Sequence, residues 1–187
     1  MLLDQKRTRR TVQVVAILTS LAFGGVIIVV LGLIFFGGGG ASAEDQLVSD
    51  AQSRVEQEPG NPDAWEQLAS AYRANDELPQ AVAAAEKALS FAPNDFSRVQ
   101  VLMSLQLDNG DAAGAIGTLS DFTARNPTNA DAFLQLGQQA QEAGRTQLAR
   151  LSYEAFLRLA PDDSNAAAVR QRLSDLSGTG AQTTPAG

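Results

Sequence analysis

Few residues in this sequence are placed to do chemistry, and the two most versatile types are missing. The chain of 187 residues contains no cysteine and no histidine. Thiolate nucleophiles, disulfides, the usual zinc sites, imidazole bases and a lipid-bearing cysteine are excluded together. No enzyme signature is found among the side chains that remain, and the carboxylate clusters are the first to weigh. Asp108-Asn109-Gly110-Asp111 opens like a calcium loop but lacks the later glutamate that would complete it, so it reads as a turn. Asp162-Asp163 suits a helix start better than an acid–base pair. Asn126-Pro127-Thr128 fails as a glycosylation acceptor because proline stands in the middle. No catalytic residue, metal or cofactor is assigned, and the chain is read as a non-enzyme.

The elements that must carry these residues are set by a repeat. Pro59, Pro93, Pro127 and Pro161 are spaced 34 apart, each just after a helical pattern. Proline cannot continue a helix and biases its predecessor away from helix, so each one closes a unit. Three units follow, 62–95, 96–129 and 130–163, and each divides into two amphipathic helices. The first places Trp65, Leu68, Ala69 and Tyr72 on one stripe, turns at Asn75-Asp76-Glu77, and continues with Ala81, Ala85 and Ala88. The second has Val99, Leu102 and Met103, a turn at Asn109-Gly110-Asp111, then Ala115, Leu119 and Phe122. The third has Phe133, Leu136, Gly137 and Ala140, a turn at Gly144, then Ala149, Tyr153 and Phe156. Intervals of three and four put each set on one helical face. A lone helix pair cannot bury such a stripe, so the units must stack and share a core.

This pattern resembles the tetratricopeptide repeat family. The first unit carries its Trp, Leu, small, Tyr, Ala, Ala, Pro signature, and the third carries it with Phe133 for Trp. The second departs, with Met103 where a small residue is usual and Gln106 where an aromatic is usual, so close helix contact is not expected there. The resemblance implies an all-α, right-handed α-solenoid of helix-turn-helix repeats. It also implies that the first helix of each unit lines a concave, peptide-binding face. Candidate groove residues are then Glu66, Ser70 and Arg73, with Asp63 and Gln67 beside them. In the second unit they are Gln100, Ser104 and Leu107, with Val101, and in the third Leu134, Gln138 and Gln141, with Asp131 and Gln135. Some family members grip a peptide carboxylate with basic residues. The matching positions here, Glu66, Ser70, Val101, Asp131 and Gln135, hold no cation.

The flanks complete the organisation. Residues 12–36 contain no charge, and such a helix is long enough to cross a bilayer core of about 30 Å. Lys6, Arg7, Arg9 and Arg10 precede it, and no Lys or Arg follows until Arg54. The positive-inside asymmetry predicts a cytoplasmic N-terminus (1–11), a transmembrane helix (12–36) and an extracytoplasmic repeat domain, periplasmic or external in a bacterium. A cleaved signal peptide ending at Ala41-Ser42-Ala43 is the alternative, although its apolar core would exceed the usual length of about 7–15 residues. A glycine-rich linker (37–43) leads to an N-terminal capping helix (44–61) with Leu47, Val48, Ala51 and Val55 inward. After the repeats, Asp162, Asp163 or Ser164 caps a last helix (164–176) with Ala166, Val169, Leu173 and Leu176 inward and Arg170 and Arg172 toward solvent. A disordered tail (177–187) ends the chain.

Net charge is −7, and beyond the basic cluster and span 20 acidic side chains face 10 basic ones. Such a surface repels phosphate backbones and argues against nucleic-acid binding. The expected function is a membrane-tethered interaction scaffold that recruits or chaperones a protein client through its groove. The alternative is a self-associating structural subunit of an envelope complex, with no free peptide client.

Overall fold

A computed structural model of the chain describes residues 42–180. The expected transmembrane helix, cytoplasmic segment and most of the linker lie outside these residues. Among the described residues no helix is long and apolar enough to cross a membrane.

The described chain is entirely helical: α1 (Ala43–Gln57), α2 (Pro62–Ala74), α3 (Leu78–Phe91), α4 (Phe96–Asp108), α5 (Ala112–Arg125), α6 (Ala130–Glu142), α7 (Thr146–Leu159) and α8 (Ala166–Gly180). Each helix packs on the next one in the chain, the arrangement expected when only neighbours share a core. The 34-residue register reappears in the local chemistry. Asn61, Asp95 and Asn129 precede α2, α4 and α6, and their side chains accept from Asp63, Ser97 and Ala132 N–H at 2.9, 3.0 and 2.9 Å. Each satisfies a backbone donor that the first helical turn leaves open.

The turns inside the units repeat equally closely. Asp76, Gly110 and Gly144 stand 34 apart and have φ of 60°, 79° and 70°. The next N–H reaches back five residues in each, from Glu77 to Tyr72 O, Asp111 to Gln106 O and Arg145 to Ala140 O. This is the left-handed cap that lets one helix end and reverse, and glycine adopts it most easily. Within Asp108-Asn109-Gly110-Asp111, Gly110 therefore makes the reversal. Asp111 caps α5 by accepting from Gly114 N–H at 2.8 Å.

Three hydrophobic clusters follow one another along the stack. The first holds Leu68, Ala69, Ala81 and Ala85, with Trp65 and Tyr72 half-buried at its edge. The second holds Val99, Ile116, Leu119 and Phe122, and Phe96 stacks on Phe122 with ring centroids 5.1 Å apart. The third holds Ala140, Ala149, Tyr153 and Phe156, closed by Ala166 and Val169 of α8. The middle pair, α4 and α5, makes less extensive contact than the flanking pairs. Met103 occupies the position of Ala69 and Gly137 there. Gln106 is nevertheless buried, and it accepts a hydrogen bond from the Thr118 hydroxyl at 2.9 Å.

Four expectations require correction. Leu47 is 54% exposed rather than inward, because no helix among the described residues covers that face of α1. The last helix starts at Ala166: Asp163 accepts from Asn165 N–H at 2.7 Å, and Val169 N–H then bonds to Asn165 O. It runs on to Gly180, into the stretch expected as tail, because Leu176 still packs on the third cluster and Ser177 bonds back to Leu173 O. Arg172 is half-buried and donates to the Tyr153 hydroxyl at 3.1 Å, whereas Arg170 is exposed as expected.

Candidate peptide-binding groove

The groove candidates fall on α2, α4 and α6, and the structure separates them into two kinds. Those at the front are engaged within the molecule. Arg98 sits at the register position of Ala64 and Ala132, both fully buried, where a guanidinium cannot stay. It extends instead toward α2 and pairs with Asp63 and Glu66, while its Nε lies 3.3 Å from Asp95. The hydrogen bond that Arg98 donates to Asp63 raises the Arg98 pKa above its ordinary value, against the opposing effect of burial, with the charges of Glu66, Asp63 and Asp95 adding to the rise. A raised basic pKa contributes stability that is complete below the ordinary value and fades only on passing the raised one. Arg98 is thus a fixed cation throughout the physiological range.

Arg73 pairs with Asp108 across α2 and α4 at 2.7 Å, and Arg54 of α1 donates to Gln67 at 2.7 Å. The Ser70 hydroxyl is exposed but bonds to Glu66 O on its own helix at 3.0 Å. Glu66, Ser70 and Arg73 are therefore held in internal contacts, which the sequence reading did not anticipate. Arg98 and Asp108 were missed there. The signal was available for Arg98: an arginine in register with two core alanines must find carboxylates nearby.

Toward the rear the lining changes. Gln100, Ser104, Leu107 and Gln138 are half-buried on α4 and α6. Among the described residues, Gln100, Ser104 and Gln138 have no hydrogen-bond partner, and the Gln135 carbonyl oxygen is buried without one. Leu134 packs into the third cluster and Val101 into the first, so each forms floor rather than rim. Gln141 accepts from the Tyr153 hydroxyl at 2.7 Å and is committed to the core, while Asp131 is exposed. The rear face thus offers amide and hydroxyl groups over aliphatic patches, the chemistry of backbone hydrogen bonding with modest apolar contact.

Family comparison places this geometry. Two tetratricopeptide repeat models match, one over residues 62–95 and another over 131–163, leaving the middle unit between the two matches. The chain carries tetratricopeptide repeats. No curated protein matches the chain. Among solved structures, that of MamA is similar, with 19% identity over 71% of this chain and 77% of that one, at a TM-score of 0.55. The structure of YrrB, described as a tetratricopeptide repeat protein with an unusual peptide-binding site, is 14% identical. It covers 75% of this chain and 71% of its own, with a TM-score of 0.55. The first such domain of Spaghetti (RPAP3), bound to an HSP90 peptide, is 17% identical over 65% of this chain and 94% of its own, at a TM-score of 0.50. At these identities the likeness establishes the repeat fold.

Proposed function

We propose that this protein is a membrane-tethered interaction scaffold whose repeat domain lies on the extracytoplasmic side and holds a client protein in its groove. The observation that carries the binding half is the rear lining. Gln100, Ser104 and Gln138 stand half-buried without partners among the described residues, and Gln135 keeps a buried acceptor unpaired. The half-buried Gln100, Ser104 and Gln138 side chains keep accessible surface and can exchange water for the backbone of a bound chain. Peptide binding in YrrB and in the Spaghetti domain is consistent with this use of the fold. The client is an extended or helical segment read mainly through its backbone.

The tether rests on sequence. Lys6, Arg7, Arg9 and Arg10 stand before a charge-free stretch at 12–36, and that order favours a cytoplasmic N-terminus and an exported repeat domain. A tether raises the local concentration of groove and client without further contacts. The second reading, a self-associating envelope subunit, draws on the small residues Ala16, Ser20 and Gly24, spaced four apart within that stretch.

Chemical crosslinking of the full-length protein in its native membranes tests both. Gln138→Arg and Ser104→Arg should abolish crosslinks to a client while leaving the melting temperature unchanged. A dominant homo-oligomer, insensitive to both substitutions, would overturn the groove and favour the structural subunit.

A further inference from the structure

Among the described residues the stack is finished at one end and open at the other. In register, α8 corresponds to α2, α4 and α6. Where α2 places Trp65, Leu68, Ala69 and Tyr72 against its partner helix, α8 turns Ala167, Arg170, Gln171 and Ser174 to solvent. That polar outer face is what a terminal helix needs.

The front is different. By the same register α1 corresponds to α3, α5 and α7, the second helices of the units. The register partners of Leu47 are Ala81, Ala115 and Ala149, and those of Ala51 are Ala85, Leu119 and Tyr153. All six are buried, each beneath the first helix of its own unit. On α1, Leu47 is 54% exposed and Ala51 half-exposed. Together with Ser70 and Ala74 of α2 they line an open groove of about 450 Å³. This is the seat that a first helix takes in every complete unit.

We propose that this seat binds an amphipathic helix from a partner protein, with small and aliphatic residues on its buried stripe and Lys or Arg along its flanks. The register fixes the shape of the occupant, because three seats of the same construction each hold a helix. Charge fixes its sign. Residues 44–111 carry 13 acidic and 4 basic side chains, whereas 112–180 carry 7 and 6. On α1 itself Glu44, Asp45, Asp50 and Glu56 face a single Arg54, and Glu58 follows just beyond it. Two nearer occupants fit less well. The stretch of this chain in register with α2, residues 28–40, ends in Gly37–Gly40, and glycine is the poorest helix former after proline. A second copy would offer either the same acidic front or the polar face of α8. The seat is separate from the concave face of α4 and α6, so it stands or falls independently of client binding there.

The chain has no cysteine, so Leu47→Cys gives the full-length protein a single thiol in the seat. The probe is a helix-stapled peptide of residues 62–75 with Asp63 and Glu66 replaced by lysine, since that helix fills the equivalent seat. The expected result is maleimide alkylation as fast as at an exposed control, Gln80→Cys, and at least fivefold slower with the lysine peptide. The acidic parent peptide should protect at least threefold less at low salt, and Asp50→Lys should narrow that difference. Four results would overturn the proposal. These are no protection by the lysine peptide, equal protection by a sequence-scrambled peptide, equal protection by the acidic parent, or a thiol already shielded without peptide. In the last case, shielding independent of protein concentration would assign the seat to this chain's own N-terminal segment. Shielding lost on dilution would assign it to a second copy.

Discussion

The first and third helix pairs hold the same register and solve the same packing problem by opposite means. At the same register positions the first pair carries Ala69 and Ala85, in one cluster, and the third carries Gly137 packed on Tyr153. Tyr153 is fully buried, and a Cβ on Gly137 would stand 2.5 Å from Cδ1 and Cε1 of its ring. The first pair fills the remaining space from its edge with Trp65 and Tyr72, both half-exposed. The third fills it from the middle. The two pairs therefore make equally extensive contact, while the side chains that do the filling change places. The middle pair, with Met103 opposite Leu119, makes neither compromise and its helices touch less. The face made by α2, α4 and α6 divides too: the front is laced by Arg98, Arg73 and Arg54, and toward the rear the Gln100 and Gln138 amides have no partner among the described residues.

The comparison can be broken most severely at Tyr153. Tyr153→Ala leaves a cavity facing a residue with no side chain and should destabilise the domain by about 3–5 kcal/mol. Trp65→Ala removes a half-exposed ring and should cost less, which paired urea melts would show. Gly137→Ala should cost about 1–3 kcal/mol through overpacking. In the Gly137→Ala, Tyr153→Ala double variant the added methyl group meets no ring, so the loss should fall short of the sum of the two.

At the front, Arg98→Ala restores the residue found in register at 64 and 132 but strands Asp63, Glu66 and Asp95 together. A loss of about 1–2 kcal/mol is expected, between the values for exposed and buried pairs, and it should shrink in high salt. The smallest effect has the opposite sign. Asp76→Gly places glycine at a φ of 60°, as its register partners have, and should raise stability by roughly 0.5–1 kcal/mol. Differential scanning calorimetry resolves that gain.

Much of the fold was legible because it is periodic. Proline at 59, 93, 127 and 161 marks the units, and Gly110 and Gly144 mark the turns within them. The alternation of core residues along each helix follows from 3.6 residues per turn. What was not legible depends on contacts between units. That Arg73 would meet Asp108, or Gln141 the Tyr153 hydroxyl, is set by how far one helix is displaced along the next, and periodicity within a helix does not encode that displacement. Leu47 was misplaced for a related reason: its stripe is correct for a second helix, but burial also requires the first helix that would cover it. Of the groove residues, Gln100, Ser104, Leu107 and Gln138 lie half-buried on α4 and α6, Leu134 and Gln141 are taken up by the core, and the α2 set is occupied with its neighbours.

The account's central claim is that the rear of the concave face holds a client. Photo-crosslinking in the native membrane tests it most directly, with a photoreactive residue placed in turn at Gln138, at Ser104, and at exposed Glu86 on α3, the second helix of its unit. The account predicts one discrete heavier adduct, common to positions 138 and 104 and absent at 86. Adducts of equal yield at all three positions, or only a crosslinked homodimer, would contradict it.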